Sequence, residues 1–343
     1  MKKLTTYILF LILIVSCKKD NTIPSTNLTM GSGYNNDIYY SLANGVVSTV
    51  PRTNWDIAFN TNIFSATILT NGGAGIKLYT YPGGDTSVWK NTLSTSGINT
   101  WPVMYNADTS WTWGAFQRNT VFSNPFDYGW GIYDYSNTHD IIGDSLFIIQ
   151  LQDQTYRKLW MKRKASLKNT FIFEYANLDG SSSKLDSVNC NSYLTKNFVY
   201  YSIAQEKIID REPISTAWDF VATQYMATSG KTTPTAVPGI LTSWIFNLNP
   251  TTQPPTFTTT GTLAAEVSGA NANSTSYTSA TFSSDISTIG WSWAGYNQAS
   301  NTYSVQPQQV YFLKTSTDIY KLVFTSFAGS GTGVVQFDQT KVK

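Results

Sequence analysis

Few side chains in this 343-residue chain are equipped for chemistry, and they are thinly spread. His139 is the single histidine, so no paired-histidine metal motif can form and a histidine base has one address. It lies in the polar run Tyr135-Ser136-Asn137-Thr138-His139, where a histidine is ordinarily just solvated. Two cysteines, Cys17 and Cys190, are too few for a cysteine metal site. No neighbour in sequence would lower the pKa of Cys190, which reads as a buried or semi-buried thiol between two domains. Asp56 and Asp219 each follow a tryptophan, but no second acid or base recurs with them. Bonding to turn backbone is their expected task, rather than proton transfer. Lys162-Arg163-Lys164 with Lys168 is a basic patch that suits carboxylate binding or, preferably, guarding an exposed strand edge. Asn71-Gly72-Gly73-Ala74-Gly75 lacks the Lys-Ser/Thr ending of a phosphate loop and reads as a tight turn. With no Gly-x-Ser-x-Gly elbow either, the chain is not expected to be an enzyme.

The elements that must position these groups are written twice. Tyr39-Tyr40-Ser41-Leu42-Ala43 through Trp55-Asp56-Ile57-Ala58-Phe59 returns as Tyr200-Tyr201-Ser202-Ile203-Ala204 through Trp218-Asp219-Phe220-Val221-Ala222. Gly129-Trp130-Gly131 is answered by Gly290-Trp291-Ser292, and the strands around Phe147 and Tyr156 by those around Tyr311 and Tyr320. The offsets run from 161 to 164 residues, which predicts one domain repeated. The expected division is residues 35–183, a linker at 184–197, and 198–343. Aromatic residues make up 15% of the chain and charged residues only 13%, with a net charge of +2. That balance argues against a nucleic-acid partner and for an all-β fold of short antiparallel strands with little helix. Asn44-Gly45 is a hairpin turn signal, and Trp55, Ile57 and Phe59 are expected on one strand face. Residues 82–128 are poorly patterned, and short strands are expected within them. Residues 231–276, rich in Thr, Pro, Ser and Ala, read as loops or an edge arm.

Met1-Lys2-Lys3 and the apolar run Leu4–Val15 read as a leader too short to span a bilayer. Ile14-Val15-Ser16-Cys17 resembles a bacterial lipobox, which implies cleavage before Cys17 and acylation of its thiol. Residues 18–34 read as a flexible tether. The expected location is the cell envelope, lipid-anchored at the outer membrane.

The Tyr-Tyr-Ser-Leu-Ala-Asn-Gly-Val-Val segment, Asn54-Trp55-Asp56-Ile57-Ala58-Phe59, Gly72-Gly73-Ala74 and the closing Gln309–Leu313 and Tyr320–Phe327 strands resemble the HmuY family. Members are all-β, haem-binding lipoproteins of Gram-negative bacteria, so the chain is expected to be two such modules in tandem. The resemblance implies haem as cofactor, captured without turnover, and an outer-membrane receptor as partner. The family's two iron-gripping histidines cannot both exist here. His139 stands at one matching place, and Met104 falls near the other, a thioether being an accepted axial ligand. Met226 and Tyr225 are the comparable residues of the second copy. The alternative is a binding lipoprotein for another ligand, such as a glycan or an envelope protein, with iron ligation lost.

Overall fold

The computed structural model describes residues 25–228, 233–249, 256–269, 271–272, 274–306 and 308–343. Cys17 with its leader, and Pro254-Pro255, lie outside the described residues. The chain is all-β, and among the described residues every strand pairing is antiparallel. Among the described residues the longest helical piece is the four-residue 3-10 turn Cys190–Tyr193.

Among the described residues the two largest hydrophobic cores are each drawn from separated stretches of chain. The first core gathers Ile57, Phe59, Trp130, Phe147, Phe171 and Phe173. It also holds Val199, Tyr201 and Ile203, which open the second copy. The second core gathers Phe220, Ile240, Trp293, Tyr311, Phe324 and Phe337 together with Ile38, Tyr40 and Leu42, which open the first copy. Each copy has lent its opening hairpin to the other. Strand Asn36–Ser41 pairs with strand Phe220–Ala227 through Tyr40↔Phe220, Tyr39↔Val221 and Ile38↔Ala222. Strand Phe198–Ser202 pairs with strand Ile57–Asn60 through Tyr201↔Ile57 and Val199↔Phe59. The two sequence copies are therefore interlaced through their strand pairing rather than laid end to end. Both opening strands carry Tyr-Tyr-Ser, so the pattern inside one copy cannot say which copy's Trp-Asp strand will receive it.

Alternation within these strands serves two layers. Ile38 and Tyr40 point into the second core while Tyr39 joins Trp218 and Val221. Val199 and Tyr201 point into the first core while Phe198 and Tyr200 join Trp55 and Ala58. Trp55 thus sits with Ala58, not with Ile57 and Phe59, because the strand begins only at Ile57. The buried counterpart of Trp130 is Trp293, not Trp291; both indoles donate to a backbone carbonyl, of Ala66 and of Gly290.

Other expectations change for identifiable reasons. Residues 26–34 are not a tether: Thr26–Thr29 is an edge strand on Val334–Phe337, with Leu28 and Met30 buried. Their two apolar side chains, two positions apart, are diluted among polar neighbours. No strand forms within 82–128, which is built from turns and from 3-10 pieces at Thr86–Val88, Ile98–Thr100 and Ala115–Gln117. Its aromatics pack instead of pairing, as with Trp101 edge-on to Tyr79. Part of 231–276 is stranded, as Thr235–Thr242, Trp244–Asn249, Thr256–Gly261 and Leu263–Ser268. Pro238 is accommodated because its strand is the outer member of its sheet. The basic patch guards no edge, since strand Tyr156–Ala165 is central. Lys164 is buried and donates to the carbonyls of Asn62, Ile63 and Ser65, and burial pulls its ammonium down to about 8. Lys162 pairs with Glu174 at 2.8 Å.

Candidate functional site

The hairpin exchange brings the repeated tyrosines and tryptophans to one junction. Tyr39 meets Trp218 edge-on, with ring centroids 5.0 Å apart at 76°. Trp55 meets Tyr200 in the same way, at 4.9 Å and 79°. Each pair joins a residue of one copy to its complement in the other, so the junction carries an approximate twofold relation. Such edge-to-face geometry sets the positive ring edge against the negative ring face.

The two aspartates fasten the exchange. Asp56 Oδ2 accepts from the Ile203 amide at 2.7 Å, the Ala204 amide at 3.2 Å and the Ser202 hydroxyl at 3.2 Å. Asp219 Oδ2 accepts from the Leu42 amide at 2.7 Å. The expected bonding to turn backbone is present, but the turn belongs to the other copy. Burial raises the Asp56 carboxyl and the amides of Ala204 and Ile203 pull it back.

Between the pairs lies a cleft, partly open to solvent, with a cavity volume of about 90 Å³. Its walls include six aromatic residues, Tyr39, Trp55, Tyr105, Trp111, Tyr200 and Tyr225, with Met226 beside them. That apolar, aromatic lining suits contact with a flat apolar group. The glycine-rich turn closes one side. A Cβ on Gly73 would fall 1.9 Å from the Gln224 carbonyl oxygen, so only glycine lets the turn lodge against strand Phe220–Ala227. Asn71 donates to the carbonyls of Arg52 and Trp55, fixing the turn to the tryptophan. Trp111 reaches in from the unpatterned region and donates to the Thr242 carbonyl at 2.9 Å.

Charge is concentrated beneath the aromatic walls. Arg211 donates to Asp37 Oδ2 at 2.6 Å, and its guanidinium carbon lies 5.0 Å from the Tyr200 ring centroid. Burial opposes the Arg211 charge, but Asp37 and the neighbouring tyrosines outweigh it, so the group stays protonated. Glu212 is buried and accepts from the amides of Asn197 and Phe198 and from the Tyr200 hydroxyl. Burial pushes its carboxyl up to about 7 against those bonds and Arg211. Arg52, at the corresponding place of the first copy, donates to the carbonyls of Tyr34, Gly73 and Gly33.

The two residues singled out by resemblance are not brought together as an axial pair. His139 is exposed on a turn at φ 56°, its Nδ1 3.1 Å from the Tyr133 hydroxyl. Met104 is buried in the first core, and its sulfur accepts from the Thr80 hydroxyl at 3.0 Å. Neither lines the cleft, so these two side chains do not fit the haem ligation expected of them. Among the described residues no group of three or more His, Cys, Asp or Glu converges as a metal site. Met226 and Tyr225, the comparable pair of the second copy, do line the cleft. Cys190 is buried in the first core, its thiol pushed up to about 12 by burial, and is not reactive.

Sequence reasoning passed over Arg211, Glu212 and Asp37. Asp210-Arg211-Glu212 is a charged triplet in a chain poor in charge, shortly before the second Trp-Asp. With Arg52 three residues before Trp55, it was the available signal. No family model, curated protein or solved structure matches the chain. Among the described residues no helix is long and apolar enough to cross a membrane.

Proposed function

We propose that this chain is a non-catalytic binding protein of the cell envelope, anchored through Cys17, whose small ligand occupies the cleft between the exchanged hairpins. The observation that carries the reading is the aromatic lining supplied by both copies around one partly enclosed space. The charged groups nearby are committed to each other or to backbone, which suits binding rather than turnover. A flat neutral probe, 1-naphthalenemethanol, is expected to bind one per chain and to quench tryptophan fluorescence through Trp55 and Trp111. Ala107 lines the cleft and is half-buried, so Ala107→Trp should abolish that binding without lowering the melting temperature. Binding that survives Ala107→Trp would place the ligand elsewhere and end this reading.

Haem is the second reading, favoured by the presence of Met226 and Tyr225 in the cleft wall. On this reading haem enters the same cleft. A haemin titration should then give a saturable Soret change that Ala107→Trp removes and His139→Ala leaves intact. Loss of the band in His139→Ala would instead return the site to the His139 turn.

A further inference from the structure

The same hairpin turn is written in both copies, and its two surfaces differ. Ser41-Leu42-Ala43-Asn44-Gly45-Val46-Val47 corresponds to Ser202-Ile203-Ala204-Gln205-Glu206-Lys207-Ile208. Both turns close an opening hairpin, and each is fastened by an aspartate of the other copy. At the second tip Glu206 and Lys207 are exposed, and Glu206 pairs with Lys184 at 3.1 Å, as suits a turn in water. At the first tip neither charge is present. Val46 is 51% exposed and Val47 37%, beside exposed Ala43 and Asn44. Both sequences close a hairpin, so the fold does not itself require two bare valines.

The first tip also lies beside the point where the chain leaves for its anchor. Thr26 pairs with Phe337, and the Ser25 hydroxyl donates to Asp338 Oδ1 at 2.5 Å. The next residue, Gln339, accepts from the Tyr40 hydroxyl at 3.2 Å and donates to the Leu42 carbonyl at 2.6 Å, at the foot of the tip. Ser25 comes eight residues after Cys17. At about 3.5 Å per residue that stretch reaches about 28 Å at most. A compact chain of about 300 residues is about 50 Å across. With Cys17 acylated, the lipid surface therefore lies on the Ser25 side of the molecule, and the opposite side is beyond the reach of the anchor.

Resting on the reading that Cys17 anchors the chain, we propose that the first hairpin tip, residues 43–47, is a membrane-contact surface. Val46 and Val47 sit at the boundary of headgroups and acyl chains in the leaflet that holds the anchor. Two aliphatic side chains add little affinity of their own. The acyl chains bind, and the tip sets the orientation. The same hairpin supplies Tyr39 to the cleft wall, so this contact fixes how the cleft is presented above the lipid.

The test uses the full chain, matured in the envelope of a Gram-negative host and reconstituted into vesicles of phosphatidylethanolamine and phosphatidylglycerol. Acylation blocks Cys17 and burial shields Cys190, so a thiol dye reports only an introduced cysteine. The polarity-sensitive dye nitrobenzoxadiazole is attached at Val46→Cys or, for comparison, at Lys207→Cys. On vesicles the Val46→Cys label should brighten several-fold over the same label on protein lacking residues 1–17. Lipids brominated near the headgroup end of their acyl chains should quench it. The Lys207→Cys label should neither brighten nor be quenched. Protein that floats with the vesicles while the Val46→Cys label stays unquenched overturns the contact and leaves the anchor standing. Equal quenching of the two labels, or quenching of Lys207→Cys alone, also overturns it. Protein that does not float with the vesicles overturns the anchor, and the contact with it.

Discussion

At the scale of single residues, Glu212 is the most informative. Its carboxyl is held near 7 in the folded protein against an ordinary value of 4.5. Between those values the folded chain holds a proton that the unfolded chain has lost, so this group's contribution to stability falls as pH rises from about 4.5 to about 7. The full swing is about 3 kcal/mol. Glu212→Gln should remove it. Urea unfolding of the two proteins at pH 4.5 and pH 7.5 is the check: the variant should gain on the parent at the higher pH, and parallel behaviour would show that the carboxyl does not titrate there. The variant amide oxygen still accepts from Asn197 or Phe198. Cys190 and Asp56 were partly readable as residue types, since a lone cysteine and a Trp-Asp pair have few structural uses. The environment of Lys164 was not readable. A lysine in a basic run gives no sign that one of its neighbours turns outward to Glu174 while it turns inward to three carbonyls.

Elements show the reach and the limit of local patterning. The Asn44-Gly45 turn and the closing strands Gln309–Lys314 and Ile319–Phe327 were legible because alternation and turn chemistry are short-range signals. The partner of the opening hairpin was not, because two copies of one motif offer two equivalent receivers. Met104 was placed by order of elements alone and His139 by likeness of its Tyr135-Ser136 surroundings to a family pattern, and packing carried one into the core and left the other on a turn. The aspartates make the exchange testable. Asp56→Ala leaves two amides and a hydroxyl without their acceptor and should cost about 3 kcal/mol. Amide hydrogen exchange should quicken at Ile203 and Ala204, with Leu42 unaffected. Asp219→Ala should do the reverse, exposing Leu42 and sparing Ile203. Loosening of the same hairpin by both substitutions would contradict the crossed pairing.

For the whole molecule, the interlaced cores decide what can stand alone. A fragment ending at residue 183 lacks Val199, Tyr201 and Ile203 from its core, and one starting at 184 lacks Ile38, Tyr40 and Leu42. Each should be unfolded or aggregated by itself, judged by near-ultraviolet circular dichroism and size exclusion. Mixed as they refold, the two should recover a one-to-one complex with the parent spectrum. A cooperative thermal transition from either fragment alone would mean the cores do not depend on the exchange.

The edge strand at Thr26–Thr29, paired with Val334–Phe337, adds a consequence in time. The earliest described strand waits for the last, and the opening hairpin waits for Phe220. Contacts this distant in sequence close slowly, because the intervening loop must be ordered before any pairing rewards it. A ribosome therefore has to finish almost the entire chain before the second core can seal. Until then the nascent polypeptide remains open, the state a chain needs if it is to be threaded across a membrane before it folds.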